Sequence, residues 1–165
     1  MFNAAQRSAA ERVLAACSAG ELTLATAESC TGGLIAGCLT AVAGSSDVVE
    51  RGFVTYTNEA KTDMLGVDTG LFDSVGAVSE EVARAMADGA LMNSPAKISV
   101  AVTGIAGPGG GSAEKPVGLV HIAAAREGAD TMHTRHVFDG DRDAVRAQTV
   151  SAALAMVLEM AKGPA

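Results

Sequence analysis

Tryptophan is missing from this 165-residue chain, tyrosine occurs once, and four phenylalanines complete the aromatic set. Its 48% hydrophobic content therefore draws heavily on alanine, with 19 glycines beside it, and such small residues let helices and strands approach closely. Cysteine is scarce as well: Cys17, Cys30 and Cys38 are an odd number without metal-ligand spacing, which suits a reducing cytoplasm. No Lys/Arg cluster offsets the net charge of −7, which argues against sequence-independent binding to nucleic acid. No stretch of about 18 residues reads as apolar enough to span a bilayer, and Met1-Phe2-Asn3 opens no basic-then-apolar leader. The expectation is a soluble, cytoplasmic protein without membrane or nucleic-acid partners, folded as a single domain over 1–165; a homo-oligomer is left open.

The stretch T-A-E-S-C-T-G-G-L-I-A-G-C-L-T at 26–40 organises the rest. An apolar run, Leu22-Thr23-Leu24-Ala25, stops at Glu28-Ser29-Cys30-Thr31-Gly32-Gly33, after which Leu34, Ile35, Cys38, Leu39 and Val42 recur at the helical period. Strand, polar turn and helix follow within twenty residues, a geometry that sets a short polar side chain beside the free N–H groups of a helix N-terminus. Ser29 is the leading candidate there.

In chain order, the periodicity predicts a helix over 4–19 ended by Gly20, a strand over 21–27 and a helix over 31–42. A second strand follows over 48–57, then a short helix over 59–65 capped by Asn58, and a loop over 66–78. Ser79 caps a helix running to about Met92, a third strand covers 98–102, strands at 117–125 and 131–138 form a hairpin around Glu127-Gly128, and the last helix begins at Asp141. This order predicts a three-layer α/β/α fold with a mixed, mostly parallel five-stranded sheet. The first three strands would then deliver Glu28-Ser29-Cys30, Tyr56-Thr57-Asn58 with Lys61, and Thr103-Gly104 to one carboxyl edge, where open α/β folds bind ligands.

Five blocks carry a family resemblance: T-A-E-S-C-T-G-G at 26–33, Y-T-N-E-A-K at 56–61, G-A-V-S-E-E-V-A at 76–83, T-G-I-A-G-P-G-G-G at 103–111 and K-P-V-G at 115–118. Together they resemble the nicotinamide-nucleotide amidohydrolase family, also called the C-terminal domain of the competence/damage-inducible protein CinA. The resemblance implies hydrolysis of the carboxamide of nicotinamide mononucleotide to nicotinate mononucleotide and ammonia, a step of pyridine-nucleotide salvage, with a small-molecule nucleotide as partner. It also implies a Ser–Lys arrangement, with Tyr56 as a proton-relaying or orienting hydroxyl and Thr103 as a polar contact in the same pocket. Longer family members carry an additional N-terminal domain, expected to be absent here.

The residues themselves ask what could run such chemistry. Amide hydrolysis needs an activated nucleophile, a base and donors for the oxyanion. There is no G-x-S-x-G elbow, and His121, His133 and His136 fall on the hairpin, so a Ser-His-Asp triad is disfavoured. Lys61 is the other base, provided burial or the positive end of its helix lowers its proton affinity. Bland roles stand beside each candidate: Ser29 as a helix cap, Lys61 as a solvated lysine, and 103–111 as a flexible glycine loop without P-loop or dinucleotide spacing. Cys30 is either the rival nucleophile or core. Glu28 is either a salt-bridge partner of Lys61 or a substrate contact, and Arg142 and Arg146 reach a phosphate or pair with nearby acids. The ribose-phosphate is assigned to the turn at Cys30, Thr31, Gly32 and Gly33 with the loop glycines Gly104, Gly107, Gly109 and Gly110, and Asn58 lies at the same edge. No metal or organic cofactor is expected. A non-catalytic nucleotide-binding or regulatory module is the alternative reading, and a DNA-associated competence factor a disfavoured third.

Overall fold

The computed structural model describes residues 2–163; Met1, Pro164 and Ala165, included in the domain expected over 1–165, lie outside the described residues, and with them the first residue of the leader reading. Its strands are β1 (Leu24–Glu28), β2 (Val49–Val54), β3 (Ile98–Gly104), β4 (Leu119–Arg126) and β5 (Met132–Val137). They form one sheet in the order β2-β1-β3-β4-β5. β1 pairs in parallel with both neighbours, whereas β3–β4 and β4–β5 are antiparallel, so four strands point one way and β4 runs against them.

The two faces of the sheet are built from different side chains. Leu24, Val100, Val102 and Ile122 meet α1 (Ala4–Ala19), α2 (Leu34–Thr40) and α6 (Arg142–Lys162) through Val13, Leu39, Leu154 and Val157. The alternate positions on the other face are small, Ala25, Ala27, Ala101, Ala123 and Ala125, as the period of two requires. Against that pavement lies α5 (Glu80–Met92), itself presenting Ala83, Ala87 and Ala90, and Ser99 Oγ donates to Ala87 O at 2.7 Å. Alanine on both partners replaces the missing aromatic rings with close approach.

Several boundaries move from those the sequence suggests. The second helix starts at Leu34, three residues late, after an N-cap Gly33 in a left-handed conformation that has no side chain of its own to cap it. The second strand ends at Val54, and Thr57, not Asn58, caps α3 (Asn58–Leu65) by accepting from Ala60 N at 3.1 Å. The loop expected over 66–78 contains a helix, α4 (Thr69–Ser74), whose cap is Asp68; it buries no residue, so no apolar periodicity announced it. Over an 18-residue window α6 has a mean hydropathy of 1.2 and is, by length and composition, apolar enough to cross a membrane, contrary to the sequence reading. Half of that window is buried, and Val145, Val150, Leu154 and Val157 face the sheet and α1, so core packing accounts for the apolarity.

The close approach of α5 yields a test. A Cβ at Gly89 would lie 2.1 Å from Leu65 O, a backbone atom at the end of α3 that has no rotamer to move. Alanine is intrinsically the better helix residue by about 1 kcal/mol, yet overpacking of this kind costs about 1–3 kcal/mol or more. At 2.1 Å from backbone the upper end of that cost applies, so Gly89→Ala should be destabilising by a net of about 2 kcal/mol, read as a fall in the urea midpoint at unchanged slope. An unchanged or raised midpoint would refute the contact.

Candidate active site

The carboxyl ends of β1, β2 and β3 open on a pocket of about 210 Å³ lined by Ser29, Cys30, Tyr56, Asn58, Lys61, Ala77, Val78, Thr103, Gly104, Ala106 and Arg142. Eight of these are sequence candidates. Ala77, Val78 and Ala106 were not singled out; they sit inside the blocks at 76–83 and 103–111 but carry no reactive group that would mark them. Larger grooves exist elsewhere, such as one of about 600 Å³ lined by Met132, Glu159 and Met160, without a comparable convergence of polar groups.

Lys61 is the centre of the pocket's chemistry. Its side chain is 1% exposed, and Nζ lies 3.2 Å from Ser29 Oγ, 2.9 Å from Thr55 O, 3.3 Å from Thr57 O and 3.4 Å from Tyr56 O. Burial pushes its pKa below the ordinary lysine value, opposed by the nearby Cys30 and Glu59. Among the described residues no carboxylate pairs with it. It stands on the first turns of α3, near the positive end of that helix. A solvated surface lysine is thereby excluded.

Glu28 is not paired with Lys61 and does not line the pocket. It is 0% exposed, and its carboxylate accepts from Gly33 N, Ile35 N and Ala36 N at 3.1, 3.0 and 2.9 Å and from the hydroxyls of Thr31 and Thr26 at 2.6 and 3.3 Å. Glu28, not Ser29, caps α2. The N–H groups of Gly33, Ile35 and Ala36 are thus occupied by Glu28 and that of Gly32 by Ser29 O, and none of Thr31, Gly32 and Gly33, expected at the ribose-phosphate, lines the pocket. Ser29 itself is held by its backbone, with Ser29 N donating to Val102 O and Gly32 N donating to Ser29 O, both at 3.1 Å.

The remaining candidates divide. Cys30 lines the pocket, but burial raises its thiol to a pKa of about 11, which removes the thiolate a rival nucleophile would need. Thr103 is buried and spends its proton on Ala77 O at 2.8 Å. Tyr56 is 56% exposed; its phenol accepts from Arg142 Nη2 at 2.7 Å, and the expected relay contact with Ser29 or Lys61 is not made. Arg142 also donates through Nη1 to Gly107 O at 2.8 Å, bridging the pocket rim. Arg146 lies outside the lining and straps α6 to the Ser29 turn, donating to Cys30 O at 3.2 Å and Thr31 O at 3.1 Å. Gly107, Gly109 and Gly110 are outside it too, and Gly107 turns a carbonyl, not an N–H, to the neighbouring arginine. His121 Nδ1 and His133 Nε2 are 2.9 Å apart on the hairpin, and neither lines the pocket. Among the described residues no group of three His, Cys, Asp or Glu could hold a metal ion.

Known proteins are similar to this chain in sequence and fold. The family model for the CinA C-terminal domain matches residues 6–161. Nicotinamide-nucleotide amidohydrolase PncC of Pseudomonas putida is 55% identical over 135 residues, covering 82% of this chain and 84% of that protein. The protein of the same name in Escherichia coli K12 is 51% identical over 144 residues, 87% of each. A putative competence-damage inducible protein of Symbiobacterium thermophilum is 54% identical over 144 residues, 82% of this chain but 34% of that protein, so the chain spans about a third of such longer relatives. The crystal structure of the competence/damage inducible protein CihA from Agrobacterium tumefaciens superposes with a TM-score of 0.95 at 52% identity, covering 97% of this chain and 98% of that one. With the match running over nearly its whole length, this chain belongs to the CinA C-terminal domain family.

Proposed function

We propose that this chain hydrolyses the carboxamide of nicotinamide mononucleotide to nicotinate mononucleotide and ammonia, a step of pyridine-nucleotide salvage, with Ser29 as nucleophile and Lys61 as general base. The observation that carries this reading is the buried Lys61 Nζ 3.2 Å from Ser29 Oγ, with its proton affinity lowered by burial. Neutral Nζ accepts the Ser29 proton as Oγ bonds to the amide carbon. The resulting ammonium then protonates the departing nitrogen, which leaves as ammonia, and an acyl ester remains on Ser29. Water attacks that ester with Nζ accepting its proton, and Nζ returns that proton to Ser29 Oγ as the C–Oγ bond breaks, which releases the acid and regenerates Ser29. The two relatives named nicotinamide-nucleotide amidohydrolase support the choice of substrate.

Pocket size supports a division of the substrate between interior and rim. A volume of about 210 Å³ is below the usual ligand cavity of about 300–1,000 Å³. It suits the nicotinamide ring against Ala77, Val78 and Ala106, with the ribose-phosphate extending to the rim, where Arg142 is the guanidinium in the lining. The role earlier assigned to the α2 N-terminus passes to this side chain.

Ser29→Ala should lower kcat by about three orders of magnitude or more with the fold intact, whereas Cys30→Ala should keep most activity. Ammonia release by the two purified variants decides between them, and the reverse result would install a thiol mechanism.

The active form of Lys61 is the neutral amine, and its pKa lies below the ordinary 10.5. Going up in pH, kcat/KM should therefore rise through that lowered pKa and level off above it. Lys61→Arg should abolish the limb together with the activity, since guanidinium does not deprotonate in the working range. A near-normal profile in Lys61→Arg would reduce Lys61 to a fixed charge.

Arg142→Met should lower kcat/KM for the mononucleotide at least about tenfold, given about 1.5–3 kcal/mol per charge-assisted bond, while leaving the uncharged riboside near its wild-type value. An equal loss on both substrates would place Arg142 in the architecture of the rim and remove it from phosphate recognition.

A further inference from the structure

Lys115 has no part in the chemistry above, yet it reaches the pocket wall from a distant segment. The wall residues Ala77 and Val78 belong to the connection between α4 and α5, bounded by Val75 at the end of α4 and Ser79 at the start of α5. α4 buries no residue completely and holds this connection from its side through the half-buried Leu71 and Phe72. Two side chains from elsewhere anchor it. Thr103 Oγ1 donates to Ala77 O at 2.8 Å, and Lys115 Nζ donates to Val75 O at 2.5 Å and Val78 O at 2.8 Å.

One ammonium thus draws together the carbonyls at both ends of a four-residue turn, whose dipoles would repel each other without it. The turn fits the cation closely: Gly76 has φ +78°, and a Cβ there would lie 3.0 Å from Nζ. Lys115 is itself presented from a closed turn, its N–H donating to Ser112 Oγ at 3.0 Å and its carbonyl accepting from Ser112 N at 2.8 Å.

We propose that Lys115 is a positioning residue that holds the Ala77–Val78 wall in place and so sets the affinity of the pocket for the ring end of its substrate. The proposal rests on the amide-hydrolase reading for its kinetic readout, but the clamp can be measured without it. It acts on binding, not on the Ser29–Lys61 pair, so its signature is a change in KM at nearly constant kcat.

The test compares Lys115→Met and Lys115→Arg with the wild type, at temperatures well below each Tm. Lys115→Met should raise KM for nicotinamide mononucleotide about tenfold with kcat within about threefold, and Lys115→Arg should recover most of the loss. Hydrogen exchange on the substrate-free proteins should show faster exchange at 76–79 in Lys115→Met, with β3 unchanged as the control for global stability. Unchanged KM in Lys115→Met, whatever happens to Tm, overturns the proposal, as does a fall in kcat at constant KM. If the wild type does not turn over nicotinamide mononucleotide, the functional reading falls alone; exchange at 76–79 then decides the clamp, and equal rates in wild type and Lys115→Met overturn it.

Discussion

A carboxylate cut off from water organises this protein. Removing an ionised Glu28 from solvent costs several kcal/mol before compensation, and the compensation is the architecture itself: three helix N–H groups and two hydroxyls close on one side chain. The strand that precedes Ser29 is thereby tied to the helix that follows it, and the polar turn between them has one conformation available. Thr55 N donates to Glu28 O at 2.9 Å, so the same residue also joins the end of β2 to this turn.

Lys61 is the second buried ionisable group, and among the described residues it has no carboxylate partner. An ion pair would favour the ammonium and raise its pKa. Instead it meets a hydroxyl and three backbone carbonyls, and burial moves its pKa downward. A lysine of lowered proton affinity and a buried carboxylate thus coexist, each with its own set of partners. The same logic disposes of Cys30, whose thiol shares the burial without a cation close enough to outweigh it, leaving its pKa at about 11.

Small side chains make the arrangement compact. The alanine face of the sheet brings α5 down onto β1 and β3, and the start of α5 is where the Ala77–Val78 wall is attached. On the opposite face the larger Leu24, Val100 and Ile122 hold α6, whose first turn carries Arg142 across the rim to Tyr56 and Gly107. Pocket depth and pocket rim are thus set by helices on opposite sides of one sheet.

Much of this was legible in the residues alone. The change from apolar run to helical period around Glu28-Ser29-Cys30, the strand–helix alternation and the position of polar clusters after strands are local signals, so they placed Ser29, Tyr56, Lys61 and Thr103 at one sheet edge. The caps at Ser79 and Asp141 were readable for the same reason, since a cap acts on its own first turn. What escaped was decided by direction and competition in three dimensions. Glu28, Thr57 and Asn58 were all plausible donors or acceptors for several neighbours, and only the packed chain determines which hydrogen bond each one makes. The fates of Arg142 and Arg146, four residues apart on one helix, show it most clearly: one reaches the pocket rim and the other grips the backbone of the Ser29 turn, because the helix face that meets β3 and β4 is fixed by where the apolar residues of α6 are buried. Sequence determined which groups exist and on which element; tertiary packing alone decided where each side chain ends and which partners remain for it.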